Sequence, residues 1–270
     1  MFNIRPSAVA GAFYPSSKEE LRKSVNYFLI KSAKTASKIN LTGKQIHGLV
    51  VPHAGYIYSA VVAGAGYNLF KTKTINPKPK ILLLGPSHNA LFEGLATTSF
   101  SQWETPLGLV PVDKMTQELI SKNPELIIVS DEAHQKEHCL EVQLPFLQQI
   151  FPDFSIIPLL TGDGDPKLFA DILNSVVPEI DFILVSSDLS HYFPYQKAAE
   201  LDNRTNKFIT AMDILNFIEQ GEACGKQGIL TILHLAKKNN WQIKLVDYQN
   251  SGDTGGDKSR VVGYSSFVYY

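Results

Sequence analysis

The segment FILVSSDLSH, residues 182–191, joins a short apolar run to a polar run. A short, continuous apolar run is typical of a strand that is buried on both faces of a parallel sheet. The polar run carries an acid, Asp188, and an imidazole, His191, just where the predicted strand ends. Ligands of open parallel sheets bind outside the carboxyl ends of the strands. The segment therefore predicts a buried strand that delivers chemically active side chains to one edge of a sheet.

Apolar runs and helical patterns alternate along the rest of the chain. A capping pattern, in which Ser17 precedes Glu20 by three residues, begins the first helix. Further helices are predicted at 59–71, 137–151 (with a kink at Pro145), 166–177, 201–219 and 225–238, and strands at 46–51, 80–85, 126–130, 155–160, 181–187, 243–248 and 261–269.

This alternation predicts an α/β fold with a largely parallel or mixed central sheet and helices on both faces. The last two strands have no obvious helix between them, which favours antiparallel pairing at one edge. No repeat, low-complexity tract or long linker interrupts the pattern, so residues 1–270 are predicted to form a single domain.

Composition excludes several classes of protein. The 270 residues include 25 Lys and Arg against 26 Asp and Glu, whereas general nucleic-acid binders are basic. No apolar run approaches the roughly 20 residues of a membrane span, and residues 1–5 lack an apolar signal core. Two cysteines form no disulfide framework. These features predict an intracellular, cytoplasmic protein without a membrane span and without a nucleic-acid partner.

Three predicted strand ends share the pattern of the opening segment. His53 follows the predicted strand in GLVVPHAGY (48–56), and His88 follows the predicted strand in ILLLGPSHN (81–89). Asp188 and His191 follow the third strand. Each residue alone is compatible with a loop or capping role. Their shared position at the carboxyl ends of strands predicts one joint site. Neutral imidazoles bind zinc and non-haem iron, and Asp188 is predicted to orient such a ligand or to serve as one.

Cys224 lies in GEACGKQGIL (221–230), just before an apolar helical pattern. A thiol at the N-terminus of a helix is expected to have a lowered pKa, which favours the thiolate that metals bind. The alternative is a small buried side chain, as most free cysteines are. Cys139 lies within a helical pattern and is predicted to be part of the core.

The stretch HQKEHCLEVQLPF (134–146) adds two histidines and two glutamates. Metal binding by His134 and His138 together is not expected, because Gln135 stands where a zincin motif has glutamate. His138 and Glu141 are predicted to line or support the pocket. Signatures of phosphate-binding loops, dinucleotide-binding turns and nucleophile elbows are absent from the sequence.

Five ordered motifs, VPHAGYIYS, LLLGPSHN, EHCLEVQLPFL, VSSDLSHY and ACGKQGI, resemble those of the Memo family, also called AmmeMemoRadiSam system protein B. The resemblance runs from GAFYP at residues 11–15 to VVGYSSFV at residues 261–268. It implies a fold similar to that of the class III extradiol dioxygenases, non-haem iron enzymes that hold their metal with two histidines and a glutamate.

The resemblance also implies roles for individual residues. His53 and His88 match the two histidine ligands, and Cys224 matches the third ligand of Memo proteins. Asp188 and His191 match the remaining pocket positions, where they would act in catalysis, with His191 as a base. Tyr56 and Ser87, within the same motifs, are predicted to line the pocket or to support the residues that do. Fe(II) is the first choice of metal, with copper or zinc as alternatives.

Two functions of different class follow. The first is a metal-dependent oxidoreductase, similar to a dioxygenase, that acts on an unknown substrate. The second is a non-enzymatic binding or adaptor module whose pocket holds a peptide or a small anion. The family name further implies a radical-SAM protein and an AMMECR-type protein as partners. The cysteine at the third ligand position predicts that simple catechols are poor substrates.

Overall fold

The computed structural model describes residues 3–72 and 76–270. Its strands are β1 (Ile4–Arg5), β2 (Gly48–Val51), β3 (Lys80–Pro86), β4 (Leu95–Thr97), β5 (Gln102–Thr105), β6 (Gly108–Pro111), β7 (Ile127–Val129), β8 (Ser155–Thr161), β9 (Phe182–Ser186), β10 (His191–Phe193), β11 (Ile243–Asn250) and β12 (Val261–Tyr269). Its helices are α1 (Lys18–Ala36), α2 (Tyr56–Asn68), α3 (Met115–Lys122), α4 (Asp131–Gln135), α5 (Leu144–Ile150), α6 (Pro166–Asn174), α7 (Tyr195–Thr210), α8 (Ile214–Gln220), α9 (Lys226–Asn239) and α10 (Ser251–Thr254).

Nine strands of the described residues form the main sheet, in the order β10-β12-β2-β9-β3-β8-β4-β7 with β11 beside β12. The four central strands, β2, β9, β3 and β8, run parallel to one another. β12 is antiparallel to β2 and to β11, and β4 is antiparallel to β8. The mixed sheet confirms the predicted fold class, and the last two strands pair antiparallel as predicted.

Side chains of the central strands alternate between two apolar layers, because successive residues of a strand point to opposite faces. Leu49 and Val51 of β2 belong to the layer formed with α1, α2 and α5. Val50 belongs to the layer formed with α3, α6, α8 and α9. Both faces of the sheet are therefore covered, which explains why these strands read as continuous apolar runs.

The region 137–151 is not the kinked helix that the sequence predicts. Residues 137 and 138 have no regular structure, residues 139 and 140 form a turn, Glu141–Gln143 is a 3-10 turn, and α5 begins at Leu144. Pro145 lies in the first turn of α5, where its missing N–H removes no helical hydrogen bond. Proline here begins a helix instead of kinking one, and the turn before it is free to present side chains.

The predicted helix 201–219 is two helices, α7 and α8. Met212 adopts a left-handed backbone conformation with φ of 53°, which no continuous helix contains. Asp213 then caps α8 by accepting the N–H of Asn216. Both helices pack on the same apolar layer, through Ile209 of α7 and through Ile214 and Phe217 of α8, whereas Leu215 is exposed.

A second, three-stranded sheet was not predicted from the sequence. β1 pairs in parallel with β5, and β5 forms an antiparallel hairpin with β6. This sheet holds Arg5 at the edge of the core, where it meets the segment that follows α4. Within the described residues, no helix is both long and apolar enough to cross a membrane.

Candidate metal centre

Strand order explains how distant residues meet. β9 lies between β2 and β3 in the sheet, so the carboxyl ends of these three strands are neighbours. His53 follows β2, Asp188 follows β9 and His88 follows β3. The rings of His53 and His88 are 5.2 Å apart between centroids. The predicted convergence of the three strand ends is thus present in the structure.

A cavity of about 640 Å³ opens at these strand ends and is here called the strand-end cavity. Its polar lining includes four histidines, His53, His88, His138 and His191, together with Asp188. Aromatic side chains, among them Phe13, Tyr58 and Tyr264, form much of the remaining wall. Cys224 is not among the lining residues, but its Sγ lies 3.2 Å from Nε2 of His53; His53, His88 and Cys224 together are here called the floor of the cavity.

His53 is buried, and both its ring and its main chain are held in place. Nδ1 lies 3.0 Å from the Ser186 hydroxyl, and the main-chain N–H donates to Oδ1 of Asp188 at 2.8 Å. Burial lowers the pKa of His53 well below its ordinary value, and the neighbouring His138 and His88 act in the same direction. The imidazole is therefore neutral at physiological pH, and Nε2 is the nitrogen left to bind a metal.

His88 is oriented by a carboxylate. Its Nδ1 is 2.9 Å from Oε1 of Glu137, whose other oxygen accepts the main-chain N–H of His88. Burial lowers the pKa of His88, but the hydrogen bond and charge of Glu137 outweigh burial and raise it overall. Burial by itself raises the pKa of Glu137. The hydrogen bond and the charge of His88 outweigh burial and hold that pKa far below its usual range. A carboxylate on one ring nitrogen is the usual support of a metal-binding histidine.

Cys224 departs from the expectation of a lowered pKa. Burial raises the pKa of its thiol to about 12, and the charge of Asp188 adds to that effect. Sγ also accepts the main-chain N–H of Asp188 at 3.2 Å. α9 begins two residues later, at Lys226, so loss of water around the thiol outweighs any benefit from the helix. The thiol is protonated in the metal-free protein.

Three donor groups fit one metal ion. One ligand atom from each of His53, His88 and Cys224 lies within 4.8 Å of the others. Ligands bonded to one ion at about 2.0–2.3 Å lie roughly 3–4 Å apart, so small side-chain movements complete the set. Two imidazoles and a thiolate suit iron, copper and zinc better than calcium or magnesium. A second group, His88, Glu137 and His138, meets the same distance limit, but there the Glu137 carboxylate already hydrogen-bonds to the His88 ring and lies 3.3 Å from Nδ1 of His138.

Asp188 binds the main chain of His53 instead of either imidazole. Burial raises its pKa to about 7, although the main-chain N–H groups of His53 and Ala54 oppose that shift. His191 begins β10 and lines the cavity, and burial lowers its pKa. Both residues are thus close to the candidate metal ligands, and of the two it is Asp188, with a pKa of about 7, that can change its proton occupancy near neutral pH.

Of the other predicted pocket residues, His138 lines the cavity, and Tyr56 and Ser87 lie outside its lining. His138 lines the cavity and stacks on His88, with ring centroids 4.8 Å apart. Tyr56 is buried behind the wall and donates its hydroxyl to the Val142 carbonyl, and Ser87 bonds to the Ala90 carbonyl. Neither of these two hydroxyls is part of the cavity lining.

The sequence predicts that Glu141 lines or supports the pocket. In the structure Glu141 is not part of the cavity lining. Its side chain is fully buried and forms an ion pair with Arg5 at 2.7 Å. Glu137, four residues earlier, is the carboxylate that supports the site. The sequence carried a signal for this, since Glu137 directly precedes His138, but nothing local indicated which of the two glutamates would face His88.

Two histidines of the region have structural roles. His134 is fully buried, and its Nε2 lies 3.1 Å from the Ala96 carbonyl. His134 and His138 do not fall in one group of candidate ligands among the described residues. His47 stacks on Trp241 with ring centroids 4.8 Å apart.

Comparison with known proteins found a matching family model and several proteins of similar sequence. A family model described as "Memo-like protein" matches residues 5–268. A MEMO1 family protein of Nitrosopumilus maritimus is 35% identical over 278 residues, covering 98% of this chain and 99% of its own length. MEMO1 family proteins of Desulfurococcus amylolyticus and Thermotoga maritima are each 34% identical, with the same coverage of 98% and 99%.

A solved structure has the same fold. The uncharacterized protein JW3007 from Escherichia coli K12 matches with a TM-score of 0.56, covering 83% of this chain and 100% of that one. Its sequence identity is 14%, so the similarity concerns the fold alone.

Proposed function

We propose that this chain, which belongs to the Memo family, is a metal-dependent oxidoreductase that holds its ion with His53, His88 and Cys224. The convergence of these three donors at the floor of one cavity carries the proposal. Iron(II) is the first choice of metal, and copper or zinc are alternatives, because a thiolate with two imidazoles suits all three. The substrate occupies the strand-end cavity.

The bound ion would supply a Lewis acid and, if iron or copper, a redox centre. The chain's own residues orient that centre: Ser186 holds Nδ1 of His53, and Glu137 holds Nδ1 of His88. These hydrogen bonds direct the Nε2 atoms to the metal and fix both rings.

Proton transfer falls to the two acid–base groups beside the ligands. Burial keeps the His191 imidazole neutral at physiological pH, so it can accept a proton from a substrate hydroxyl. Asp188, with a pKa of about 7, exists in both protonation states near neutral pH. It can therefore receive a proton and return it within one cycle.

Anaerobic purification followed by elemental analysis and metal titration tests the proposal. We expect close to one equivalent of Fe(II), Cu(I) or Zn(II) per chain, and loss of that equivalent in His53→Ala. Failure of the wild-type protein to bind any of the three metals would refute the proposed function.

One observation favours the alternative, a binding module for a small anion. The guanidinium of Arg260 lies on the cavity wall, 5.1 Å above the Tyr192 ring, and makes no ion pair within the part of the chain that the structure describes. Calorimetry with inorganic phosphate and metal-free protein separates the two functions. Binding that Arg260→Gln abolishes, in a protein that takes up no metal, would favour the module. The radical-SAM and AMMECR-type partners stay predictions.

A further inference from the structure

We infer that Arg5 is a positioning residue for the metal centre, acting through Glu137. It belongs to the N-terminal arm, defined as residues 5–14, which lies outside the three strands that supply the metal ligands. The inference rests on the proposed metal site. Arg5, which is not itself a metal ligand, thereby sets the geometry of the Glu137 carboxylate that orients His88.

The Arg5 side chain is completely buried and uses its whole guanidinium. Nε donates to the carbonyl of His134 at 2.8 Å, one terminal nitrogen donates to the carbonyl of Glu137, and the other pairs with Glu141 at 2.7 Å. The guanidinium carbon of Arg5, Cζ, also lies 4.3 Å from the centroid of the Trp103 ring. One cation thus binds three points of the segment 134–141 at once.

That segment carries the support of the metal ligand. The residue whose carbonyl binds Arg5 is Glu137, and the carboxylate of the same residue binds the ring and the main-chain N–H of His88. No helix holds this residue, because α4 ends at Gln135 and the next 3-10 turn begins at Glu141. Arg5 therefore supplies a restraint that regular secondary structure does not provide here.

Glu141 ties the rest of the arm to the same point. Its carboxylate accepts the main-chain N–H groups of Ala8 and Val9 and the hydroxyl of Tyr14. Phe13, next to this anchor, lines the cavity and packs against His138 with ring centroids 4.7 Å apart. The arm is consequently attached to one wall of the cavity as well as to the turn beneath it.

Lysine cannot replace this arrangement. The guanidinium is a planar fork that binds carboxylate and carbonyl oxygens in fixed directions, whereas an ammonium is a compact point charge. Arg5→Lys keeps the charge opposite Glu141 but loses part of the fork to the carbonyls of His134 and Glu137. The expected consequence is a looser Glu137 and a less well oriented His88, not an unpaired charge.

The experiment measures zinc and cobalt affinity of the full chain by competition with a chromophoric chelator. We expect Arg5→Lys to weaken zinc binding about 10-fold, in the range for loss of groups that orient metal ligands. The cobalt complex reports the same change as a shifted absorption band. Leu29→Ala is the control, since Leu29 is buried on α1 and the cavity that the substitution leaves should lower the melting temperature. It should leave zinc affinity unchanged.

A double-mutant cycle shows whether Arg5 acts through Glu137. Glu137→Gln alone should weaken zinc binding by about 10–100-fold. Adding Arg5→Lys to that variant should cause little further loss, because the restraint then acts on a group that no longer orients His88. Additive losses would contradict the assigned route.

Should Arg5→Lys fail to fold, Arg5→Met/Glu141→Gln removes both charges of the buried pair, a change that proteins often tolerate. It should show the same loss of about 10-fold. Wild-type affinity in either variant overturns the inference while leaving the proposed function intact. Absence of metal binding in the wild-type protein overturns the proposed function itself.

Discussion

Two regions of this protein bring histidines together with other polar side chains, and they differ in how those polar groups are partnered. At the arm junction, defined as Arg5, Tyr14, Trp103, His134 and Glu141, the cation and the carboxylate bind each other and nearby main-chain groups. At the floor of the strand-end cavity, His53, His88 and Cys224 each keep one donor atom directed toward the others. At the junction the two charged side chains find their partners within the chain, although Nε1 of Trp103 and Nδ1 of His134 have no hydrogen-bond partner among the described residues; at the floor the donor atoms face one another.

This difference distinguishes buried polar groups that stabilise the fold from polar groups that can bind a ligand. A buried charge is tolerated when partners surround it, and the junction meets that condition within the chain. At the floor, the protonated Cys224 thiol and the neutral His53 imidazole lie 3.2 Å apart and share one hydrogen bond, which a metal ion that took up both donor atoms would replace. Substitutions at the junction should consequently change stability and, through Glu137, also metal affinity, whereas substitutions at the floor should change metal binding with little effect on stability.

Opening the junction should have the largest effect. Glu141→Leu leaves the Arg5 charge buried without a partner, which costs about 3–5 kcal/mol of unfolding free energy. Urea denaturation followed by circular dichroism measures the change. The control is Glu19→Leu, which removes an exposed ion pair with Lys23 and should cost less than about 1 kcal/mol. Equal losses in the two variants would show that the junction is no stronger than a surface pair.

The two cysteines provide the sharpest test of the floor. Cys224→Ser removes the thiolate ligand and should weaken zinc or iron binding about 100-fold or more, with little change in melting temperature. Cys139→Ser, at a fully buried thiol outside the ligand set, should lower the melting temperature and leave metal affinity unchanged. Anaerobic titration and thermal melts on both variants give the comparison. Identical metal affinity in wild type and Cys224→Ser would remove Cys224 from the ligand set.

Acid should weaken the junction through His134. Burial lowers the pKa of His134 to about 4, below its ordinary value of 6.5. As pH falls below about 6.5, the unfolded chain takes up a proton that the folded chain refuses, so unfolding becomes easier. Between pH 7 and pH 4.5 this should cost about 2 kcal/mol. His134→Gln can still donate to the Ala96 carbonyl and should lose less stability over that interval in urea titrations. Parallel pH profiles would disprove this assignment.

His191 should have the smallest effect on metal binding. It lines the cavity but lies outside the ligand group, so His191→Ala should weaken zinc binding less than about 10-fold. His53→Ala is the matched substitution within the ligand group and should weaken zinc binding far more. Competition titrations on the two variants make the comparison. A larger loss in His191→Ala would transfer the ligand role from His53 to His191.

Much of this architecture could be read from the sequence. Short apolar runs predicted strands covered on both faces, because period-two burial on each face leaves no polar position in the strand. Polar residues directly after three such runs predicted the site edge, and His53, His88 and Asp188 do meet there. These signals are local, since they depend only on which residues neighbour one another in the chain.

Other features depend on contacts between distant segments. The placement of β9 between β2 and β3 is set by long-range packing, and it alone explains why Asp188 reaches the main chain of His53. Glu137 faces His88 and Glu141 faces Arg5 because the turn between α4 and α5 directs them apart, which no helical period encodes.

The pKa of Cys224 separates the two kinds of information most clearly. Its place before α9 was visible in the sequence and suggested a thiolate. Burial and the charge of Asp188 reverse that expectation, and both arise only when segments about 36 residues apart pack together. Sequence determined which donors stand at the strand ends. Tertiary packing decided their protonation and their partners, because desolvation and charge depend on every segment that surrounds a group.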